Sequence, residues 1–172
     1  MSLTEEELRV RVGVAPRDTE AVRELAELVG RHRGRKDEAV GIWLRYVDAV
    51  PSSQKAEALL ALARAQVEAR QNDEAIETLH HCTTEDPGIF AGLELLGELL
   101  RQVGRFEEAV GVFERAVEID SDAVQPRVAL VSCFDALSQP REAEAVLAQV
   151  RAMGTGDPAV LALVRELMRR RE

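Results

Sequence analysis

Between residues 90 and 119 the apolar positions recur at helical spacing. Leu93, Leu96, Gly97 and Leu100 stand at i, i+3, i+4 and i+7, one face of a first helix over 90–103. Phe106, Ala109, Val110, Phe113, Ala116 and Val117 form the apolar stripe of a second helix over 106–119. Gly104, between the two, can adopt the left-handed conformation that ends a helix. Small residues at Gly97 and Ala109 let the two helices approach closely, and the Phe113 ring fills the space one turn further on. Strand-like alternation is confined to the short "VRVGV" at 10–14.

The same phrase returns along the chain. "DEAVGIWLRYV" (37–47), "DEAIETLHHCT" (73–83), "EEAVGVFERAV" (107–117) and "REAEAVLAQVR" (141–151) align without gaps. Their alanines, Ala39, Ala75, Ala109 and Ala143, are spaced 36, 34 and 34 residues apart. Four residues later stand Trp43, Leu79, Phe113 and Leu147. Upstream, Leu25, Leu62, Leu96 and Leu130 form another column, each followed by a residue of modest size: Ala26, Ala63, Gly97 and Val131. Pro16, Pro51 and Pro87 close the first units, with Ser121 and Thr155 at the later sites. Several columns sharing one period predict an array of helix–turn–helix units. Gln66 and Arg127 break columns that are otherwise apolar, and the first unit carries an extra residue near its inner turn.

These residues resemble the tetratricopeptide repeat family, whose 34-residue pattern includes W-x2-L-G-x2-Y, A-x3-F and a late proline. Leu93, Leu96, Gly97 and Leu100 match its first part, Ala109 and Phe113 its second, and Ser121 takes the proline site. The resemblance covers about residues 19–157 and implies an all-α fold, a right-handed α-solenoid of four helix pairs whose inner surface binds peptide segments. Residues 1–18 are expected to form an N-terminal cap or partial repeat. Thr4 and Glu7 make a capping-box pattern, and Leu8 and Val12 stand where Phe113 and Val117 stand. Such a second helix without its first is either a purpose-made cap or the cut edge of a longer array. Residues 158–172 are expected to form a C-terminal capping helix, because Arg165 falls in the small-residue column and bars a close partner.

Composition narrows the function. The chain of 172 residues has a net charge of −9, is 46% apolar and only 3% aromatic, a mix that favours helix over β-sandwich. Residues 51–120 carry six basic and fourteen acidic groups, nearly the whole acidic excess. Phosphate binding needs a basic face, so nucleic acid is not expected as a partner. Apolar runs stay well short of the ~20 residues of a membrane span. The acidic N-terminus does not resemble a secretory leader, and Cys82 and Cys133 do not form a disulfide framework, so a cytoplasmic protein is expected.

No catalytic group, metal site or cofactor is expected. Successive residues on a helix diverge by about 100°, so His80, His81 and Cys82 cannot share one ion. Cys133 lies on an apolar stripe without a neighbouring His, a buried thiol and not a nucleophile. The basic run "RHRGRK" at 31–36 is read as cations opposing a helix C-terminus, with a patch for an acidic partner as the alternative. What remains is the surface of the first helices not used for internal packing. The candidate peptide groove comprises Leu60, Arg64, Val67, Glu94, Glu98, Arg101, Val128 and Ser132, with Leu60, Val67 and Val128 expected as its exposed apolar members. The family's acidic-tail receptors hold a carboxylate with Lys, Arg and Asn, whereas Glu94 and Glu98, one turn apart, would repel one. The expected function is therefore a non-catalytic scaffold holding a neutral or basic peptide of a protein partner. The alternatives are a self-associating structural module forming a homo-oligomer, or a regulatory domain of a larger enzyme or of a secretion or assembly component.

Overall fold

The computed structural model describes residues 3–154 together with Arg165 and Arg169. Its described helices are α1 (Glu5–Val14), α2 (Thr19–Gly30), α3 (Lys36–Ala49), α4 (Lys55–Glu68), α5 (Asn72–Glu85), α6 (Phe90–Gln102), α7 (Phe106–Ile119), α8 (Gln125–Ala136) and α9 (Pro140–Ala152). Among the described residues there is no strand, and 10–14 is the end of α1. The C-terminal cap expected over 158–172 lies outside the described residues, apart from Arg165 and Arg169. Helix contacts divide into two compact units, Met1–Ile89 and Phe90–Glu172. In the first, α2 pairs with α3 and α4 with α5, α3 also packs on α4, and α1 covers α2. In the second, α6 pairs with α7 and α8 with α9, and α7 also packs on α8.

The repeated columns form the core of these pairs. Ala39, Ala75, Ala109 and Ala143 are each at most 1% exposed, and Leu25, Leu62, Leu96 and Leu130 are buried with them. In α6–α7 the approach is close: a Cβ on Gly97 would stand 2.6–2.9 Å from the ring of Phe113. The buried stripe of α7 is Ala109, Val112, Phe113 and Ala116, while Phe106, Val110 and Val117 are half-buried. It is turned from the expected stripe because α7 serves α8 as well as α6. Gln66 and Arg127 are buried where their columns hold Leu100 and Leu93. Arg127 Nη1 donates to the Ala123 carbonyl at 2.6 Å, but Arg127 Nε and Gln66 Oε1 have no hydrogen-bond partner among the described residues. Each such group costs about 1–3 kcal/mol.

Turn chemistry repeats with the same period. Arg70, Gly104 and Ser138 all take positive φ, at 64°, 80° and 57°. The following amides of Gln71, Arg105 and Gln139 reach back to the carbonyls of Gln66, Leu100 and Phe134 at 2.8–2.9 Å. This is the Schellman geometry that satisfies the last carbonyls of a helix. The first pair departs from it, as its extra residue implies: a 3-10 turn, Arg33–Arg35, joins α2 to α3. Between pairs, Asp86 and Asp120 take extended conformations, and their Oδ1 atoms accept from the amides of Gly88 and Asp122 at 2.9 Å. Asp120 thus holds the turn before Ser121 as Asp86 does before Pro87.

At the N-terminus, Thr4 and Glu7 form the capping box, and Leu8 and Val12 are buried against α2. Ion pairs tie the helix further along the chain. Arg35 donates to Glu5 at 2.7 and 2.8 Å and to Glu38 at 2.7 and 3.1 Å, while Arg9 reaches both Glu5 and Glu38. The guanidinium of Arg35, then that of Arg9, holds the Glu5 and Glu38 carboxyls at about 2.

Candidate functional site

In the first unit a cleft of about 500 Å³ opens between two first helices. One wall is the last turns of α2, with Ala26, Glu27, Gly30 and Arg31. The facing wall is α4, with Ala61, Arg64, Ala65 and Glu68. Lys36, Ala39 and Trp43, from the first to the middle turns of α3, also line it. The cleft is open because the helices present alanine and glycine there, while Trp43, buried and edge-on to Tyr46 with ring centroids 5.4 Å apart, is the large residue of its lining. Its acidic members are already engaged. Glu68 is paired with Lys36, whose ammonium also donates to the Gly30 carbonyl, and Glu27 accepts from Arg23 at 3.4 Å. Arg31 and Arg64 have no acidic partner among the described residues.

Of the eight groove residues named from the sequence, Arg64 alone lines this cleft. Val67 is half-buried on the same helix. Leu60 is not an exposed apolar member: it is only 9% exposed, because α4 is packed by α3 on one side and α5 on the other. Val128 is corrected in the same way, 4% exposed on α8, which packs on both α7 and α9. A helix held from two sides needs a wider apolar stripe than a single face provides. Arg31, Lys36 and Trp43 were absent from the expected groove. The signal for them was the pairing of the basic run at 31–36 with the small residues Ala61 and Ala65, one turn apart.

In the second unit, Glu94, Glu98 and Arg101 sit half-buried on α6. Burial, and then Asp120, pushes the Glu94 carboxyl up. Glu98 is the opposite case: Arg101 donates to it through Nε at 2.9 Å and Nη2 at 2.7 Å, and Gln102 at 2.8 Å, so its carboxyl is held down. Ser132 donates its hydroxyl to the Val128 carbonyl at 3.3 Å within α8. Cys133 is fully buried, its thiol pushed up to about 11 chiefly by burial. Cys82 is likewise buried and raised to about 11, and its Sγ donates to the Ala56 carbonyl at 3.2 Å. Both are poor nucleophiles at neutral pH. Among the described residues no three His, Cys, Asp or Glu side chains gather to hold a metal ion, and no helix is long and apolar enough to cross a membrane.

Two family models, both described as tetratricopeptide repeat, match residues 60–124 and 100–167, together more than half of the chain. The chain belongs to the tetratricopeptide repeat family. By sequence, no curated protein matches it. Solved structures of the same class do match. YrrB, described as a tetratricopeptide repeat protein with an unusual peptide-binding site, superposes with a TM-score of 0.77 at 12% identity, over 94% of this chain and 81% of that one. MamA of Desulfovibrio magneticus gives 0.75 at 14% identity, over 89% and 85%. The type III secretion chaperone SycD of Yersinia enterocolitica, in complex with a peptide of the translocator YopD, gives 0.59 at 16% identity, over 67% and 94%. At these identities the likeness establishes the fold, an all-α tetratricopeptide α-solenoid class.

Proposed function

We propose that this tetratricopeptide repeat chain is a non-catalytic interaction module that binds a peptide segment of another protein on the faces of its first helices. The observation that carries the reading is the cleft between α2 and α4, lined by small side chains with Trp43 at its buried edge and charged groups on both walls. Such a combination gives a partner side chain apolar area to cover and polar groups to orient it. Peptide binding by SycD and the peptide-binding site of YrrB lend the reading support by analogy of fold. The α6–α8 face of the second unit, with Glu94, Glu98, Arg101 and Ser132, is proposed as a further contact surface of its own. Affinity capture followed by titration of peptides from the captured partner tests the assignment. Arg64→Glu on α4 should weaken binding, whereas Arg115→Glu, exposed on the second helix α7, should leave it unchanged. The reverse pattern would move the interaction to the second-helix surface.

A second reading, self-association, draws on one feature. Helix α1 directs Val10 and Val14 outward, 63% and 83% exposed, on the side away from α2. Exposed valines one turn apart can seat a neighbouring copy.

A further inference from the structure

Resting on the peptide-binding reading, we infer that the cleft between α2 and α4 selects a segment carrying acidic side chains beside small or aliphatic ones. The argument is local charge. Glu68 is neutralised by Lys36, and Glu27 is shared with Arg23 outside the cleft. That leaves Arg31 on one wall and Arg64 on the other as the cations with no acidic partner among the described residues. Beside Arg64 on α4, the half-buried Ala61 and Ala65 offer apolar area but no hydrogen-bonding side chain. A chain passing along the cleft can therefore direct a Glu or Asp to each wall and an Ala, Val or Leu toward the alanines. An arginine fork suits such carboxylates because two parallel N–H groups meet two oxygens. A lysine-rich segment meets two like charges instead and is disfavoured. The neutral or basic partner expected from residues 51–120 does not transfer to this cleft. Of the fourteen acidic residues there, ten lie outside α4 and α6, on α5, α7 and the turns.

The occupant is a side-chain carboxylate within a segment, not a chain terminus. The cations stand on opposite walls, with the alanines of α4 beside one of them, which fits successive side chains better than one terminal group. The test is a spotted array of short peptides, acetylated and amidated at their ends, in which Glu, Asp, Lys, Leu and Ala are permuted, probed with the purified full chain. Binding of the hits is then measured by fluorescence anisotropy. The expected result is enrichment of Glu or Asp next to Leu, Val or Ala, with affinity falling about tenfold or more in Arg64→Glu and in Arg31→Glu. Arg115→Glu makes the same change in net charge outside the cleft and should leave affinity unchanged. Binding should weaken as salt rises. Hits enriched in Lys or Arg, or hits indifferent to Arg31 and Arg64, overturn the inference while leaving an interaction module in place. Tighter binding of the free-acid form of a hit than of its amide also overturns it, in favour of a terminal carboxylate. If the wild-type chain selects no peptide, both the inference and the peptide-binding reading fall.

Discussion

Three positions spaced 34 residues apart carry the left-handed turn of the later helix pairs, and glycine fills one of them. Gly104 takes φ 80° without a Cβ to strain, whereas Arg70 at 64° and Ser138 at 57° hold the same geometry with one. Replacing either by glycine removes a cost of order 1 kcal/mol, partly offset by the greater freedom of glycine in the unfolded chain. Arg70→Gly and Ser138→Gly should each raise the free energy of urea unfolding by about 0.5 kcal/mol, and Gly104→Ala should lower it by about 1. A loss of stability in the two glycine variants would show that their side chains contribute more than the turn costs. The Gly97–Phe113 contact gives the opposite test. A methyl group there meets the ring at 2.6–2.9 Å, so Gly97→Ala should cost about 1–3 kcal/mol despite alanine's better helix propensity. Adding Phe113→Leu recreates the Ala63–Leu79 pair already used by α4 and α5. The double variant should lose less than the two single losses summed; simple additivity would mean that the contact is not what sets the spacing.

At the scale of an element, charge contributes to the attachment of α1. Its apolar anchorage is Leu8 and Val12, and a network of Glu5, Arg9, Arg35 and Glu38 joins it to the start of α3. Exposed pairs contribute little singly, but four groups sharing protons and partners act together. Both carboxyls titrate at about 2, below their unfolded value of roughly 4.3. A depressed folded-state pKa means that the stabilisation is present above the unfolded value and is lost as pH falls through the folded one. Between about pH 4.3 and 2, amide exchange in α1 should accelerate before that of α2. Arg35→Ala should produce the same early opening at neutral pH. Equal protection of α1 and α2 in that variant would show that Leu8 and Val12 suffice. The sequence made the helix legible through the capping box and the Phe113 register, yet it could not show Arg35 reaching back 30 residues to Glu5. The alternation in "VRVGV" is not that of a strand, which would set all three valines on one face: on the helix Val12 is buried while Val10 and Val14, two residues to either side, face outward.

For the whole molecule, periodicity made the helix pairs and their core columns legible, because each column does the same packing work every 34 residues. The candidate site was less legible. Net charge counts Glu114 and Glu118 on α7 equally with Glu94 on α6, although they lie on different helices. Exposure was misjudged at Leu60 and Val128 because packing of one pair on the next does not show in the pattern of a single pair. The same charge distribution bears on whether copies associate. With −9 at pH 7 and most acidic groups on the second helices and turns, two copies repel at low ionic strength whatever apolar contact they could make. Light scattering over a concentration series at low salt should therefore return the chain mass of 19.0 kDa. Raising the salt screens that repulsion without removing the outward valines of α1, so any growth in mass on screening should disappear in a Val10→Lys, Val14→Lys variant. A dimer mass at low salt, abolished by the same pair of substitutions, would instead place self-association through α1 ahead of peptide binding as the primary role of the chain.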